Sequence, residues 1–146
     1  LDYAKLIFMI NENCYCGSAK SYSDCCGPFL DGFSLPKTAE QLMRSRYTAF
    51  ILKHTNYIKN TMVSPALDFF DEKFILNSPI IWKKLEVLDK QQGESTDEEG
   101  IVLFKAYYKE NQEDMAVSFL EERSIFKKIA GKWFYVTGET SVENPE

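Results

Sequence analysis

The chain has 146 residues, 45% of them hydrophobic and 27% charged, which fits one ordinary domain with a small appendage and excludes wholesale disorder. Lys and Arg number 17 against 22 Asp and Glu, a net charge of −5, so no global basic field is available for gripping nucleic acid, although a local patch stays open. No run of about 18 apolar residues occurs, so no membrane-spanning helix is expected.

The chain opens with an apolar run of five, Leu6-Ile7-Phe8-Met9-Ile10, followed at once by Asn11-Glu12-Asn13. A secretory core needs about seven or more apolar residues and a small-residue cleavage site, and neither is here. We expect Met9 to be the natural start, with residues 1–8 upstream of it, and the compartment to be the cytosol. An N-terminal peptide of the native protein containing Tyr3 or Lys5 would refute that start.

All four cysteines lie within thirteen residues: Cys14, Cys16, Cys25 and Cys26. A disulfide framework spreads its cysteines to close loops, whereas this cluster closes one small loop and ends in a vicinal pair. A metal site is the better reading. Cys14-Tyr15-Cys16 offers two thiolates from an extended tripeptide, Gly17-Ser18 can turn sharply, and Cys25-Cys26 brings two more. Four sulfurs can then reach one centre at about 2.3 Å, the distance of a tetrahedral structural zinc. Soft thiolates also admit iron or Cu(I), and unligated thiols or disulfides formed on oxidation are the bland alternative. A redox site is disfavoured because no C-x-x-C precedes a helix. The knuckle is expected over residues 11–30, with an α+β domain over 31–140.

Gly27, Pro28, Gly32 and Pro36 punctuate a connector. Thr38 with Gln41 three residues on reads as a capping box opening a helix. Leu42, Met43, Tyr47, Phe50, Ile51, Tyr57 and Ile58 form one helical stripe, with a break expected near His54-Thr55. Ser64-Pro65 reads as the N-cap and first position of a third short helix carrying Leu67 and Phe70. Phe74, Ile75 and Leu76 are expected to plug the end of the core. Strands are expected over Ile80–Gln91, Ile101–Lys109, Ala116–Lys127 and Lys132–Gly138. A polar, mobile loop over Gln92–Gly100, a turn at Asn111–Glu113 and a tight turn at Ala130-Gly131 would join them. Helices first and antiparallel strands after make an α+β layout.

Cys14-Tyr15-Cys16-Gly17-Ser18 with Tyr22-Ser23-Asp24-Cys25-Cys26-Gly27-Pro28 resembles the SEC-C motif, the zinc knuckle at the C-terminus of the SecA translocase motor. The segment Leu42–Phe50, then Glu122-Arg123-Ser124 and Gly131–Tyr135, resembles the YchJ family in order and spacing over about residues 13–138. That resemblance implies a SEC-C knuckle joined to a nuclear-transport-factor-2-like domain, a cystatin-like cone in which a curved antiparallel sheet wraps the helices. It implies no established biochemical role. Relatives often carry a second SEC-C copy near the C-terminus, and residues 139–146 contain no cysteine. Relatives also tend to read Thr-Trp-His-Pro where this chain has Thr61-Met62-Val63-Ser64-Pro65, so no catalytic histidine carries over to Val63.

The catalytic inventory is thin. His54 is the single histidine and reads as a cap or surface residue, and no phosphate-binding glycine loop is present. Arg44 and Arg46 are two apart on one helix, so they face different ways and one can turn inward. A buried guanidinium needs a carboxylate or several carbonyls, which Glu121 or Glu122 on the long strand could supply, and a plain ion pair locking helix to sheet is the bland reading. The functional reading is an anion-binding group in a pocket lined by Tyr47, Phe104, Trp133 and Tyr135, with Asp68, Glu122 and Arg123 as further ionisable candidates. Aromatics at such spacings are also ordinary core.

Three roles follow. One is a zinc-stabilised module docking on a protein or ribonucleoprotein through Tyr15, Lys20, Tyr22 and Phe29. The second is a small-molecule binder or enzyme using the cone's cavity, and the third a purely structural zinc. The first is preferred, with no catalytic residue assigned and homodimerisation through the sheet left open. A Cys25→Ser change is expected to release metal and loosen residues 13–29 while much of the main domain stays folded.

Overall fold

The structure is a computed structural model and describes Tyr3 and residues 12–143. The expectations placed on Leu6–Ile10, with Met9 as the start, lie outside the described residues.

The knuckle has little regular backbone. An isolated antiparallel bridge joins Asn13 to Ser21, a 3₁₀ turn covers Tyr22–Asp24, and helix α1 is the four residues Gly27–Leu30. Pro28 sits in the first turn of α1, where its missing N–H costs no bond.

Helix α2 spans Ala39–Leu52 and opens as expected: the Thr38 side chain accepts the Gln41 N–H. Gln41 returns its own oxygen to the Lys37 N–H at 2.7 Å, one residue before the usual partner. Lys53 then takes a left-handed conformation, and His54 caps helix α3, Thr55–Asn60, by accepting the Tyr57 N–H on Nδ1. The expected break is there, and the histidine serves as a cap.

The next expectation needs correcting. Residues Ala66–Phe69 form a 3₁₀ turn, with Pro65 before it and Phe70 already extended. Thr61 and Val63 pair with Tyr135 on the last strand, and the segment that follows makes one bond from the Leu67 N–H back to the Val63 carbonyl before the chain turns extended at Phe70. Helix α4, Glu72–Asn77, follows, capped by Asp71. Phe74 is 74% exposed and Leu76 45%, so only Ile75 of the expected plug packs on the core.

The sheet is an antiparallel meander in chain order: β1 Ile81–Gln92, β2 Glu99–Lys109, β3 Ser118–Ile129 and β4 Lys132–Glu143. β3 starts two residues later than expected. β4 runs five residues longer, because backbone pairing with Phe119–Arg123 holds a stretch that is polar apart from Val142 and carries little strand signal. Ala130 and Gly131 both have positive φ, as a two-residue hairpin requires. Register shifts at Trp82/Lys84, Val87/Asp89 and Ile125/Phe126 mark where the sheet bends. α2 lies across β1, β2 and β4, and Leu42, Met43, Val102, Phe126 and Trp133 meet between the layers.

The β1–β2 hairpin is fastened to the start of α2. Ala39 donates its N–H to the Gly93 carbonyl at 2.9 Å, and Gly93 in turn donates to Glu99. A Cβ on Gly100 would lie 2.5 Å from the Gly93 Cα, so two backbones touch here. The loop between them is tied to β3 by the Lys128 N–H on the Glu98 carbonyl and Lys128 Nζ on the Ser95 carbonyl.

Candidate functional site

The four thiols converge. Gly17 takes φ +80° and turns the chain after Cys16, as the sequence required. The Cys14 N–H closes the loop on the Lys20 carbonyl at 2.7 Å, and α1 begins as Cys25 and Cys26 arrive. The sulfurs of Cys14, Cys16, Cys25 and Cys26 all lie within 4.8 Å of one another. Cys16 Sγ is 3.5 Å from Cys25 Sγ, which is 3.9 Å from Cys26 Sγ. Four sulfurs about 2.3 Å from a tetrahedral zinc stand about 3.8 Å apart, so the donor set matches such an ion in number, softness and spacing.

Without a cation, four thiols at this spacing cannot all ionise. Hydrogen bonds from Cys14 and Cys26 pull the Cys16 thiol far below its ordinary value. Those to Cys14 and Cys16, with burial, push Cys26 far up. Burial pushes Cys25 to about 11. A bound cation favours all four thiolates together, releasing protons as it enters.

The thiols are set into the main domain. Cys14, Cys16 and Cys26 are buried in one cluster with Leu42 and Met43. Cys14 Sγ faces the Thr48 hydroxyl of α2 at 3.9 Å, and Ser18 Oγ lies 3.1 Å from Cys25 Sγ. Arg44 donates to the Cys16 carbonyl at 2.6 Å and to Glu40 at 2.9 Å, while Lys90 on β1 reaches Glu40 from the other side at 2.9 Å. Burial works against the Arg44 charge, and Glu40 together with Cys16 outweighs it, raising its pKa. The inward-turning expectation therefore splits: Arg44 clamps knuckle to helix, and Arg46 goes into the cone.

Arg46 is 7% exposed. Its Nη1 donates to the Ile58 carbonyl at 2.7 Å and the Thr61 hydroxyl at 2.8 Å, and its guanidinium lies 4.8 Å from the Tyr135 ring centre. Burial lowers its pKa to about 10. Glu122, the expected partner, makes no ion pair with it within 4.0 Å; it accepts from Ser124 at 2.6 Å, Thr140 at 3.0 Å and Tyr135 at 3.2 Å. A Cβ on Gly138 would strike that carboxylate at 2.7 Å, so the glycine makes room for it.

Arg46, Tyr47, Phe104, Glu122 and Tyr135 line one cavity of about 180 Å³, as expected. Trp133 does not: it is buried elsewhere, its indole N–H on the Lys37 carbonyl at 3.0 Å. Arg123 is on the opposite sheet face, since it alternates with Glu122 and Ser124 and pairs with Leu103 and Glu139. Glu121 shares that outer face, and Asp68 is exposed, accepting from Ser64. Met43, Phe50, Trp82, Ala106, Leu120, Ser124 and Phe126 complete the lining and are not among the expected residues. Trp82 was legible only as a strand residue, because the bulge beside it sets which face it takes.

Around the knuckle, Tyr15 is 44% exposed and packs edge-on against half-buried Tyr22 at 6.3 Å. Lys20 and Phe29 instead line a cleft of about 380 Å³ against α2, with Arg44 and Lys90 on its far wall.

The family model of the YchJ middle NTF2-like domain matches residues 38–138, and that of the SEC-C motif matches residues 11–28. The chain belongs to the YchJ family. Its family relatives include a UPF0225 protein of Haemophilus influenzae (strain 86-028NP), 37% identical over 133 residues covering 90% of this chain and 80% of the relative. Another, from Shewanella sp. (strain MR-4), is 42% identical over 135 residues, 88% and 80% of the two chains. A SEC-C motif containing protein from Rhodopseudomonas palustris superposes with a TM-score of 0.77 at 35% identity, covering 88% of this chain and 98% of that one. One from Psychrobacter arcticus gives 0.74 at 30%, covering 89% and 83%. The YchJ fold expected from the sequence is therefore the fold observed, and its four cysteines could hold a metal ion. No helix among the described residues is long and apolar enough to cross a membrane.

Proposed function

We propose that this YchJ-family chain is a zinc-stabilised interaction module. Cys14, Cys16, Cys25 and Cys26 hold the ion, and the knuckle docks a protein or ribonucleoprotein partner. The observation that carries the reading is the convergence of four sulfurs within 4.8 Å in a segment with almost no backbone ladder of its own. So small a knuckle needs its metal to keep a shape. Around that centre Tyr15 and Lys20 stay exposed, and the cleft beside Lys20 and Phe29 adds concave surface. Aromatic and cationic side chains on a rigid support are the usual makings of a contact surface.

The test has two parts. Elemental analysis of untagged protein purified without added metal should find about one zinc per chain; no metal, or another metal, removes the zinc assignment. Affinity purification would then compare wild type with a Tyr15→Ala/Lys20→Glu double variant. Loss of the same partner from the variant, with zinc retained, supports docking. Equal recovery from both, or none from either, overturns it.

A further inference from the structure

Arg46 is a buried cation with neutral partners only. It has a carbonyl, a hydroxyl, a thioether at 3.9 Å and an aromatic face, and no carboxylate within 4.0 Å among the described residues. Burying a guanidinium without a carboxylate in contact is costly, and the dipoles around it with the more distant Glu122 charge offset only part of that, since burial still lowers its pKa. Arg44, two residues away, has its carboxylate.

The guanidinium also stands between two hollows. The inner one, about 180 Å³, is walled by Tyr47, Trp82, Phe104 and Phe126. The outer groove, about 440 Å³, has exposed Phe69 and Phe74 among its lining residues. Arg46, Phe50 and Tyr135 belong to both, so the guanidinium lies in the wall that the groove and the aromatic chamber share.

We propose that the cone binds a small apolar monocarboxylate, its carboxylate on Arg46 and its ring or branched chain in the aromatic hollow. Size limits the apolar part: sites for drug-sized ligands run from about 300 to 1,000 Å³, and the inner hollow falls below that, admitting one ring but no nucleotide. Glu122 limits the charge. Its three hydroxyl donors fix it as an acceptor, so it leaves Arg46 unpaired yet repels a second anionic group. Phosphates and dicarboxylates are thereby disfavoured. This site is separate from the knuckle, and the inference stands or falls independently of zinc and docking.

The experiment is calorimetric titration of the full chain with phenylacetate, benzoate and isovalerate, each against its neutral amide. At least one acid should bind, with its amide at least tenfold weaker, which is about 1.4 kcal/mol. Arg46→Met should erase that preference. Because Arg46 is buried and its variant can fail to fold, Phe104→Trp provides the second arm: filling the hollow should abolish binding while leaving Arg46 in place. No binding by any of the three acids at roughly 10 mM overturns the proposal, since even a millimolar ligand would register there. So does an amide that binds as tightly as its acid, or binding that survives Phe104→Trp.

Discussion

Cys16 and Trp133 are hidden to the same depth, 0% and 1% exposed, in two regions that are held in different ways. Around Trp133 the chain closes ladders between strands of eleven and twelve residues. Around Cys16 the ordered backbone amounts to one isolated bridge, a 3₁₀ turn and a four-residue helix. The sheet gains stability with every pair added and can lose a contact without losing its path. The knuckle has no such reserve, so it leans on the adjoining helix, and a cation on its four thiols would supply the rest. Equal burial therefore conceals unequal causes, and the two regions should respond differently to the same kind of damage.

The largest expected effect is Cys16→Ser. On the zinc proposal it should abolish stoichiometric metal and lower Tm by about 10 °C, because the thiol cluster is continuous with Leu42 and Met43. Hydrogen exchange read residue by residue should show amides of 14–30 opening first. If strand amides open with them, the two regions are one cooperative unit and the contrast fails.

Trp133→Ala is the mirror experiment, damage to the sheet alone. It should cost about 3–5 kcal/mol in a urea melt, with metal content unchanged in the folded fraction. Metal loss in parallel would break the comparison from the other side.

Arg44→Met should cut the tie between them. It removes charged bonds to the Cys16 carbonyl and to Glu40, at about 1.5–3 kcal/mol. The expected signature is faster exchange confined to the knuckle.

The smallest effect is electrostatic. Burial alone would raise the Glu40 pKa, but hydrogen bonds from Lys90 and Arg44 outweigh it and hold the carboxyl below its ordinary value. Its contribution is complete above the unfolded value of about 4.3 and is lost as pH falls through the folded one. Glu40→Gln should thus cost about 1 kcal/mol or less at pH 7, and the gap to wild type should close toward pH 3 in denaturant titrations. A gap independent of pH would mean these ion pairs fasten nothing.

Much of this was legible in the sequence because short-range chemistry wrote it. Thr38 and His54 cap helices through bonds spanning three residues, and Ala130-Gly131 sits where a tight hairpin needs it. The cysteines announced themselves by spacing. What stayed illegible depends on partners far along the chain. Trp133 and Tyr135 alternate as a pair, yet only Tyr135 reaches the cavity, since helix start and Lys37 close over the other. Strand periodicity gives two faces, but the bulges at Trp82/Lys84 and Ile125/Phe126 reset which face is which. Phe74 looked like core by composition alone, and its short helix turns it to solvent.

The contact between Gly93 and Gly100 has a genetic consequence. A side chain at Gly100 collides with the Cα of Gly93, a residue that has nothing left to shorten. Such a lesion has no second-site suppressor at its point of collision. A revertant screen on Gly100→Val should return the original glycine alone, since every other residue brings the same Cβ, and no compensating change at position 93. The exposed residues 94–96 between the two glycines are under no such constraint and are free to drift.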